Sequence, residues 1–292
     1  MKREEIWKCT GIDSYDYEQL CHVDDDFVRS YCCSMKTSAA VIAKAWSDQH
    51  ATEWAMRNYL AVKMLLASQL LLNVASYSER KNILLTQPYL LYYTLLNTCR
   101  AFLFTDLMLS WNGGKIRLST HDIIRKNAIN ALKRLSPSAA TEADALILEA
   151  KKQRELFSYS FPASGPMAIP EGRLQIGRVY PVLRLLSDLA ELNSECLEVA
   201  WQRHSGKTCQ IDKVQLYELM KYDSGNGIVD DDDKYRLNYL ARKYSGPACL
   251  VSIATEGMTE DVFGAWCPSN ENIDPDAFDP DSDESFSIFD FH

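Results

Sequence analysis

Residues 89–111, YLLYYTLLNTCRAFLFTDLMLSW, are apolar on nearly every face of a helix, and an Asn-Gly-Gly turn follows them. The run is long enough to cross a bilayer, but it carries Asn97, Arg100 and Asp106. An arginine at the centre of a bilayer costs about 2.5–3.5 kcal/mol, and no positive flanks bracket the run. A helix that is apolar all round in a soluble protein lies at the centre of a bundle. The stretch therefore predicts the core helix of an all-α fold and no membrane span.

Helical patterns flank this core segment on both sides. The low content of Gly and Pro, 12 and 10 of 292 residues, favours helices over a sandwich or barrel. Apolar residues also recur three and four positions apart before and after the core segment. The predicted helices around it cover residues 36–49, 51–79, 121–135, 139–157, 179–203, 211–222 and 231–244. The predicted fold class is all-α, with a helical bundle followed by a smaller, mainly helical region.

Breaks in these patterns divide the chain into four parts. The strongest internal boundary is the stretch 158–176, which is rich in Pro and Gly. Two short apolar segments, 248–254 and 262–267, fit either strands or apolar loops, and periodicity does not choose between them. The predicted parts are an N-terminal extension at 1–35, a helical bundle at 36–157, a mainly helical region at 158–267 and a disordered acidic tail at 268–292.

Arg100 requires a polar or charged partner, because a guanidinium on a buried helix must contact water, a carboxylate or a phosphate. One alternative is a structural ion pair with Asp106 or Asp122. The other is a functional arginine that faces phosphate in a cleft between helices. Asn97 lies three residues earlier on the same helix face, so the two side chains can present an amide and a guanidinium together.

The stretch QPYLLYYTLLNTCRAFL, residues 87–103, resembles the second core helix of HEPN-type proteins, especially the YaaC-like branch. In that branch a helix begun by proline has the pattern P-L-x-x-Y-Y-x-x-x-N-x-x-[KR]-A. The positions that match are Pro88, Tyr92, Tyr93, Asn97, Arg100 and Ala101. The resemblance extends over residues 40–157 and implies a compact HEPN-like helical bundle.

The resemblance also implies a function, because many HEPN proteins are metal-independent endoribonucleases and others bind nucleotide or only assemble. It implies a catalytic set of Arg100, His121 and Asn97, in which His121 moves protons and Arg100 neutralises the charge of a phosphorane. It further implies a homodimer or a subunit of a complex, in an antiviral defence or toxin context. The RNase motif of the family is R-x(4–6)-H, whereas Arg117 and His121 have only three residues between them.

The net charge of −9 is distributed unevenly along the chain. Residues 1–243 carry 31 bases and 29 acids, and the stretch 115–154 alone holds nine bases and four acids, a net of +5. A uniformly basic nucleic-acid binder is excluded, but a local basic face is not. This face is either a solvated helix surface or a patch that receives RNA or an acidic partner. The predicted phosphate contacts are Lys115, Arg117, Arg125 and Lys126.

The last part of the chain combines acids with aromatic residues. Residues 244–292 hold eleven acids and no Lys or Arg, and four Phe lie among the acids from residue 278 onward. Segments of this kind often dock onto a basic, partly apolar groove. The tail is expected to be disordered, to cover the chain's own basic face, or to bind a partner protein. The predicted partner-binding residues are Phe286, Phe289 and Phe291.

Motifs for other chemistry are missing from the sequence. It has no phosphate-binding glycine loop, no H-E-x-x-H and no Cys/His cluster at zinc spacing, so we expect no cofactor and no metal. Nine Cys without regular spacing indicate reduced thiols in a cytoplasmic protein. Two functions remain open. One is a HEPN-like protein that cleaves RNA or binds nucleotide. The other is a non-enzymatic interaction module with an inert site, which uses its acidic tail to bind a partner.

Overall fold

Helices make up every regular element in the described part of the chain, which confirms the all-α prediction. The computed structural model describes residues 3–11, 15–112, 119–169, 171–221, 229–267, 277–280 and 286–290. Its α-helices are α1 (Arg3–Thr10), α2 (Asp25–Lys44), α3 (Asp48–Arg80), α4 (Gln87–Thr105), α5 (His121–Leu132), α6 (Pro137–Glu155), α7 (Ile176–His204), α8 (Lys213–Met220), α9 (Asp231–Lys243), α10 (Leu250–Ile253) and α11 (Glu256–Trp266). A π-helical turn at Leu156–Ser160 extends α6.

The helix α4 lies at the centre of the bundle, as its apolar sequence predicts. It packs against α3, α5, α6 and α7, and 14 of its 19 residues are buried. Pro88 lies in its first turn, where the missing N–H leaves no intrahelical bond unmade. Its neighbour α3 is long and apolar enough to span a membrane by length and composition alone. The most apolar window of α3 is 61% buried inside the protein, and a core helix passes the same test.

The start of α2 differs from the sequence pattern. Helix α2 begins at Asp25 rather than near residue 36, so the predicted limit of the N-terminal extension falls inside a helix. The side chain of Asp24 accepts a hydrogen bond from the Asp26 N–H (3.0 Å), and acids in the first turn suit the positive end of the helix dipole.

The segments 248–254 and 262–267, for which strands were one alternative, contain α10 and the last five residues of α11. The physical reason for α10 lies in its neighbour α7. The backbone N–H groups of residues 249–251 donate to side chains of α7, namely Glu198 (2.8 Å), Ser194 (3.0 Å) and Glu191 (3.2 Å). These bonds satisfy the first backbone N–H groups of α10, which have no partner within the helix itself. No neighbouring strand is needed to pair them.

Residues 286–290 pack against the body of the protein, so the expectation of a disordered tail does not hold for them. The side-chain amide of Gln69 on α3 donates to the Phe286 carbonyl (2.7 Å) and accepts from the Ile288 N–H (2.9 Å). Ile288 and Phe289 are fully buried, and the Phe289 ring lies 5.1 Å from that of Tyr15. The Gln69 amide thus pairs one backbone carbonyl and one backbone N–H of this segment, as a neighbouring strand would.

Arg184 on α7 joins this segment to the rest of the fold. Its Nη2 donates to the Asp290 carboxylate (3.0 Å) and to the Asp16 carbonyl (2.7 Å). Its Nε lies 3.4 Å from a carboxylate oxygen of Asp188. The acid of this segment therefore pairs with α7 and not with the basic stretch 115–154.

Candidate functional site

Three residues of α4 share one face of the helix and form the base of the site. Tyr93, Asn97 and Arg100 follow one another at intervals of four and three, so they lie close to one line along the helix. Arg100 donates from Nη1 to Asn97 Oδ1 at 3.2 Å, which is the side-by-side arrangement that the spacing predicts. All three side chains are at least partly exposed, although α4 is otherwise mostly buried.

Arg100 is not engaged in either ion pair that the sequence offered as its structural role. Asp106 pairs with Arg134 at 2.6 Å, and Asp122 pairs with Lys151 at 2.8 Å. Among the described residues, Arg100 has one hydrogen-bond partner, the neutral amide of Asn97, and no carboxylate within ion-pair distance. Its positive charge is therefore not neutralised by any carboxylate in the described ranges of the chain.

His121 is the first residue of α5 and lies across from α4. Its Nδ1 is hydrogen-bonded to the Tyr92 hydroxyl at 3.1 Å. The imidazole also stands perpendicular to the Tyr93 ring, with 6.0 Å between the ring centroids. A tyrosine on α4 thus fixes the position of the histidine, and one edge of the imidazole stays available because the side chain is only partly buried.

The electrostatics of the site favour a neutral histidine. The pKa of His121 is lowered from its usual 6.5, first by burial and then by the positive charges of Arg100 and Arg154. Burial also lowers the pKa of the Arg100 guanidinium from 12.5, but an arginine stays charged in proteins. The site therefore combines a neutral imidazole with a fixed positive charge close enough to act on it.

Helix α6 contributes two further cations to this site. Arg154 lies over the Tyr92 ring, 5.0 Å from its centroid, and Lys151 bridges α6 to α5 through Asp122. Arg154 also has Glu155 at 3.5 Å, so both cations have a carboxylate neighbour. Arg100 differs from them because the one partner that the described residues give it, Asn97, is neutral. We name the group Tyr92, Tyr93, Asn97, Arg100, His121, Lys151 and Arg154 the α4–α6 cluster.

The predicted phosphate-binding residues are only partly tied to this cluster. Arg125 on α5 is hydrogen-bonded to Asp144 of α6, and Lys126 is exposed on α5. Lys115 and Arg117 lie outside the described residues, as does Phe291 of the tail. The sequence assigned no site role to Tyr92, Lys151 or Arg154. Tyr92 matched the family pattern as a core position, and both cations belong to the basic stretch 115–154.

The predicted partner-binding phenylalanines occupy different environments. Phe289 is fully buried within its own chain. Phe286 is half-buried, and its ring lies 5.1 Å from that of Tyr180 on α7. A partner would reach Phe289 only after residues 286–290 leave their groove.

The cluster has the elements of phosphoryl-transfer chemistry on a hydroxyl nucleophile. A neutral imidazole can take a proton, and an unneutralised guanidinium can stabilise negative charge that develops on phosphate oxygens. Among the described residues, no group of three or more His, Cys, Asp or Glu side chains is arranged to hold a metal ion.

Comparison of this chain with protein-family models, with curated proteins and with solved structures finds no match. The resemblance to HEPN-type proteins therefore stays a prediction from the sequence motif at residues 87–103.

Proposed function

We propose that this protein acts on RNA as a HEPN-like endoribonuclease that needs no metal, with the α4–α6 cluster as its active site. The observation that carries the proposal is the position of Arg100. Its charge has no carboxylate partner among the described residues, and it lies close enough to His121 to lower the pKa of the imidazole. A partly exposed guanidinium without a carboxylate partner keeps its charge available for a phosphate group, which it can bind through two parallel hydrogen bonds.

In the proposed reaction, His121 is the general base. The scheme takes the tautomer in which Nδ1–H donates to the Tyr92 oxygen across the 3.1 Å contact, because the lone pair of Nε2 is then free to take the proton of a ribose 2′-hydroxyl. The 2′-oxygen then attacks phosphorus, the bond to the 5′-oxygen breaks, and a 2′,3′-cyclic phosphate forms. The leaving 5′-oxygen takes a proton from water, and His121 returns its own proton to water, so the step balances.

Arg100 stabilises the phosphorane in this scheme. Its guanidinium donates to the non-bridging oxygens, and the bond to Asn97 Oδ1 holds it in position. Arg154 and Lys151, with Lys126 on α5, are proposed to hold neighbouring phosphates of the RNA. The resemblance adds a homodimer or a subunit of a complex and a role in defence or toxicity, and the cysteine pattern adds a cytoplasmic location, as parts of the same proposal.

The test is cleavage of a fluorescently labelled single-stranded RNA in the presence of EDTA. Removal of the base or of the phosphorane-stabilising donor is expected to lower the rate by about 100-fold or more in His121→Ala and Arg100→Ala. The matched controls are His204→Ala and Arg29→Ala, which change an exposed residue of α7 and a 57% exposed arginine of α2.

Thermal melting of each variant separates loss of activity from loss of folding. Equal rates for the wild type and folded Arg100→Ala would contradict the assignment of Arg100. Loss of wild-type cleavage in EDTA would contradict the metal-independent mechanism.

The competing function is the non-enzymatic interaction module. It is favoured by exposed apolar side chains that follow α6, with Tyr159, Phe161 and Met167 exposed by 79%, 66% and 86%. Its use of the acidic tail requires residues 286–290 to detach from Gln69 and Arg184. Absence of RNA cleavage by the folded wild type supports this function over the endoribonuclease.

A further inference from the structure

A loop of apolar residues begins where α6 ends and returns to the same helix. The π-helical turn at Leu156–Ser160 leads into this loop. Its far end is held by α6, because the Gln153 side chain donates to the Gly172 carbonyl (3.4 Å) and accepts from the Leu174 N–H (3.1 Å). We name residues 156–172, of which the structure describes all but 170, the α6 loop. Surface loops whose two ends lie together in this way frequently carry function.

The α6 loop lies at the end of the bundle that carries the α4–α6 cluster. Contacts along α6 show that the helix runs toward this end. Lys151 is bonded to Asp122 in the first turn of α5 (2.8 Å), and one turn later Arg154 lies over the Tyr92 ring. Tyr159 follows Arg154 by five residues, which span about 7 Å of helix. The loop therefore continues directly from the proposed active site.

Two aromatic rings of the α6 loop face solvent. Tyr159 and Phe161 are 79% and 66% exposed, and neither belongs to the hydrophobic core. Phe161 also has a φ of 39°, in the left-handed region that residues with a side chain rarely adopt. A glycine adopts this conformation without strain, and it commonly does so after the last turn of a helix. Neither packing nor backbone conformation therefore accounts for a phenylalanine at this position.

Positive charge adjoins the two rings. The last two turns of α6 carry Lys151, Lys152 and Arg154 against one acid, Glu155, and residues 156–169 carry no charged side chain. Exposed apolar patches also mark surfaces that dock proteins, but these cations favour a polyanion. Cations followed by exposed aromatic rings are the combination that binds single-stranded nucleic acid. The phosphates pair with the cations, and every base has a face that stacks on a ring.

We propose that Tyr159 and Phe161 form a platform on which unpaired bases of the substrate RNA stack, while the cations at the end of α6 hold the adjoining phosphates. The identity of the polymer rests on the proposed function. The platform adds that the substrate is single-stranded beside the cleavage site, because the faces of paired bases are already stacked within a duplex.

The experiment measures the equilibrium binding of two probes to the full chain by fluorescence anisotropy in EDTA. One probe is a short fluorescein-labelled oligoadenylate, and the other has the same backbone without bases. Both carry 2′-O-methyl groups, so the proposed reaction has no 2′-hydroxyl proton to remove and cannot cleave them. We expect the wild type to bind the oligoadenylate about tenfold or more tightly than the abasic probe, since two stacked bases contribute at least this much.

Three variants and a control locate the platform. Tyr159→Ala should bind the oligoadenylate about tenfold more weakly and the abasic probe as the wild type does, whereas Tyr159→Phe keeps a ring and should retain base-dependent binding. Phe161→Gly should also weaken oligoadenylate binding. It should melt near the wild-type temperature, because relief of the left-handed strain offsets the greater flexibility of the unfolded chain. Tyr235→Ala, which removes a 62% exposed tyrosine of α9, should change neither affinity.

The binding and cleavage assays can fail separately. Equal affinity of the wild type for the two probes, or binding of neither, would overturn the platform. Unchanged oligoadenylate binding in Tyr159→Ala and Phe161→Gly would also overturn it and would favour protein docking at the α6 loop. In each of these cases, loss of cleavage in His121→Ala would still support the proposed function. Conversely, base-dependent binding that Tyr159→Ala abolishes would support the platform even if the wild type cleaves no RNA.

Discussion

Arg184 and Arg100 are arginines on two helices that pack against each other, yet their surroundings are opposite. Arg184 is 2% exposed and is held by the Asp290 carboxylate, by backbone carbonyls and by Asp188. Arg100 is partly exposed and has one neutral partner, Asn97. The charge of Arg184 is neutralised within the fold, because carboxylates and carbonyl oxygens surround it.

This difference separates a structural arginine from a candidate functional one. A buried guanidinium that loses its partners destabilises the protein by several kcal/mol, whereas a half-exposed one without partners contributes little to folding. The charge of Arg100 remains available for a ligand. Each other cation that the structure describes in the α4–α6 cluster has a carboxylate neighbour. The following predictions test this contrast.

The largest effect is expected from Arg184→Met. The substitution leaves Asp188 buried without its cation and releases Asp290, so the free energy of unfolding should fall by about 3–5 kcal/mol. Urea unfolding followed by circular dichroism measures it. The control is Arg178→Met on the same helix, because the Arg178 side chain is 55% exposed and its pair with Glu149 is worth less than about 1 kcal/mol. Similar losses in both variants would remove the contrast.

Phe289→Ala tests whether residues 286–290 belong to the core around Arg184. The ring is fully buried against Tyr15, so its removal should cost about 3 kcal/mol. Phe161→Ala is the control, because that ring is 66% exposed and should change stability by less than about 0.5 kcal/mol. Combined with Arg184→Met, Phe289→Ala should lose less than the sum of the two effects, since both variants release the same segment. Full additivity would show that the segment is not anchored by Arg184.

The pH dependence of stability should have a component from α7. Burial, and then the nearby charge of Glu195, raise the pKa of Glu191 well above its usual 4.5. The folded protein therefore keeps a proton there that the unfolded chain has released, so this contribution is complete below pH 4.5 and is lost as the pH rises. Burial raises the pKa of Asp188 to about 7, which acts in the same direction.

The variant Glu191→Gln carries no titratable group at this position. Its melting temperature should fall less than that of the wild type between about pH 5 and 8, while part of the decline remains because of Asp188. Asp26→Asn, at an exposed position of α2, is the control and should follow the wild-type curve. A decline as steep in Glu191→Gln as in the wild type would show that Glu191 is ionised in the fold.

The smallest effect on stability is expected for Arg100→Ala, less than about 0.5 kcal/mol. Its effect should appear instead in the titration of His121 by nuclear magnetic resonance. The positive charge of Arg100 lowers the pKa of that imidazole, so its removal should raise the pKa toward 6.5. Arg29→Ala should not move it. An unchanged pKa in Arg100→Ala would mean that the two side chains do not interact.

The helices were predictable because their apolar residues follow the helical period, and α4 stood out because its polar residues are few. The buried polar face of α7 was not predictable. Arg184, Asp188, Glu191 and Glu195 recur four, three and four positions apart, which is the pattern of a solvated helix face. Their partners come from residues 15–20, 249–251 and 286–290, which only the tertiary fold brings together.

The candidate site was predictable to a similar, limited extent. The spacing of Asn97 and Arg100 on one helix predicted that their side chains lie side by side. The resemblance predicted that His121 belongs to the same site. Whether Arg100 pairs with a carboxylate depended on how α5 and α6 dock, because Arg134 and Lys151 take the two aspartates that were its candidates. Arg154 reaches the site through the same docking, which no local pattern encodes.

The packing of Phe289 on Tyr15 has a consequence for synthesis of the protein. The two residues lie 274 positions apart, and translation needs on the order of tens of seconds to cover that distance. During this time the nascent chain has a groove between α3 and α7 without its final occupant, and Arg184 lacks Asp290. A ribosome-bound chain therefore exposes an apolar surface to chaperones until residue 290 has emerged.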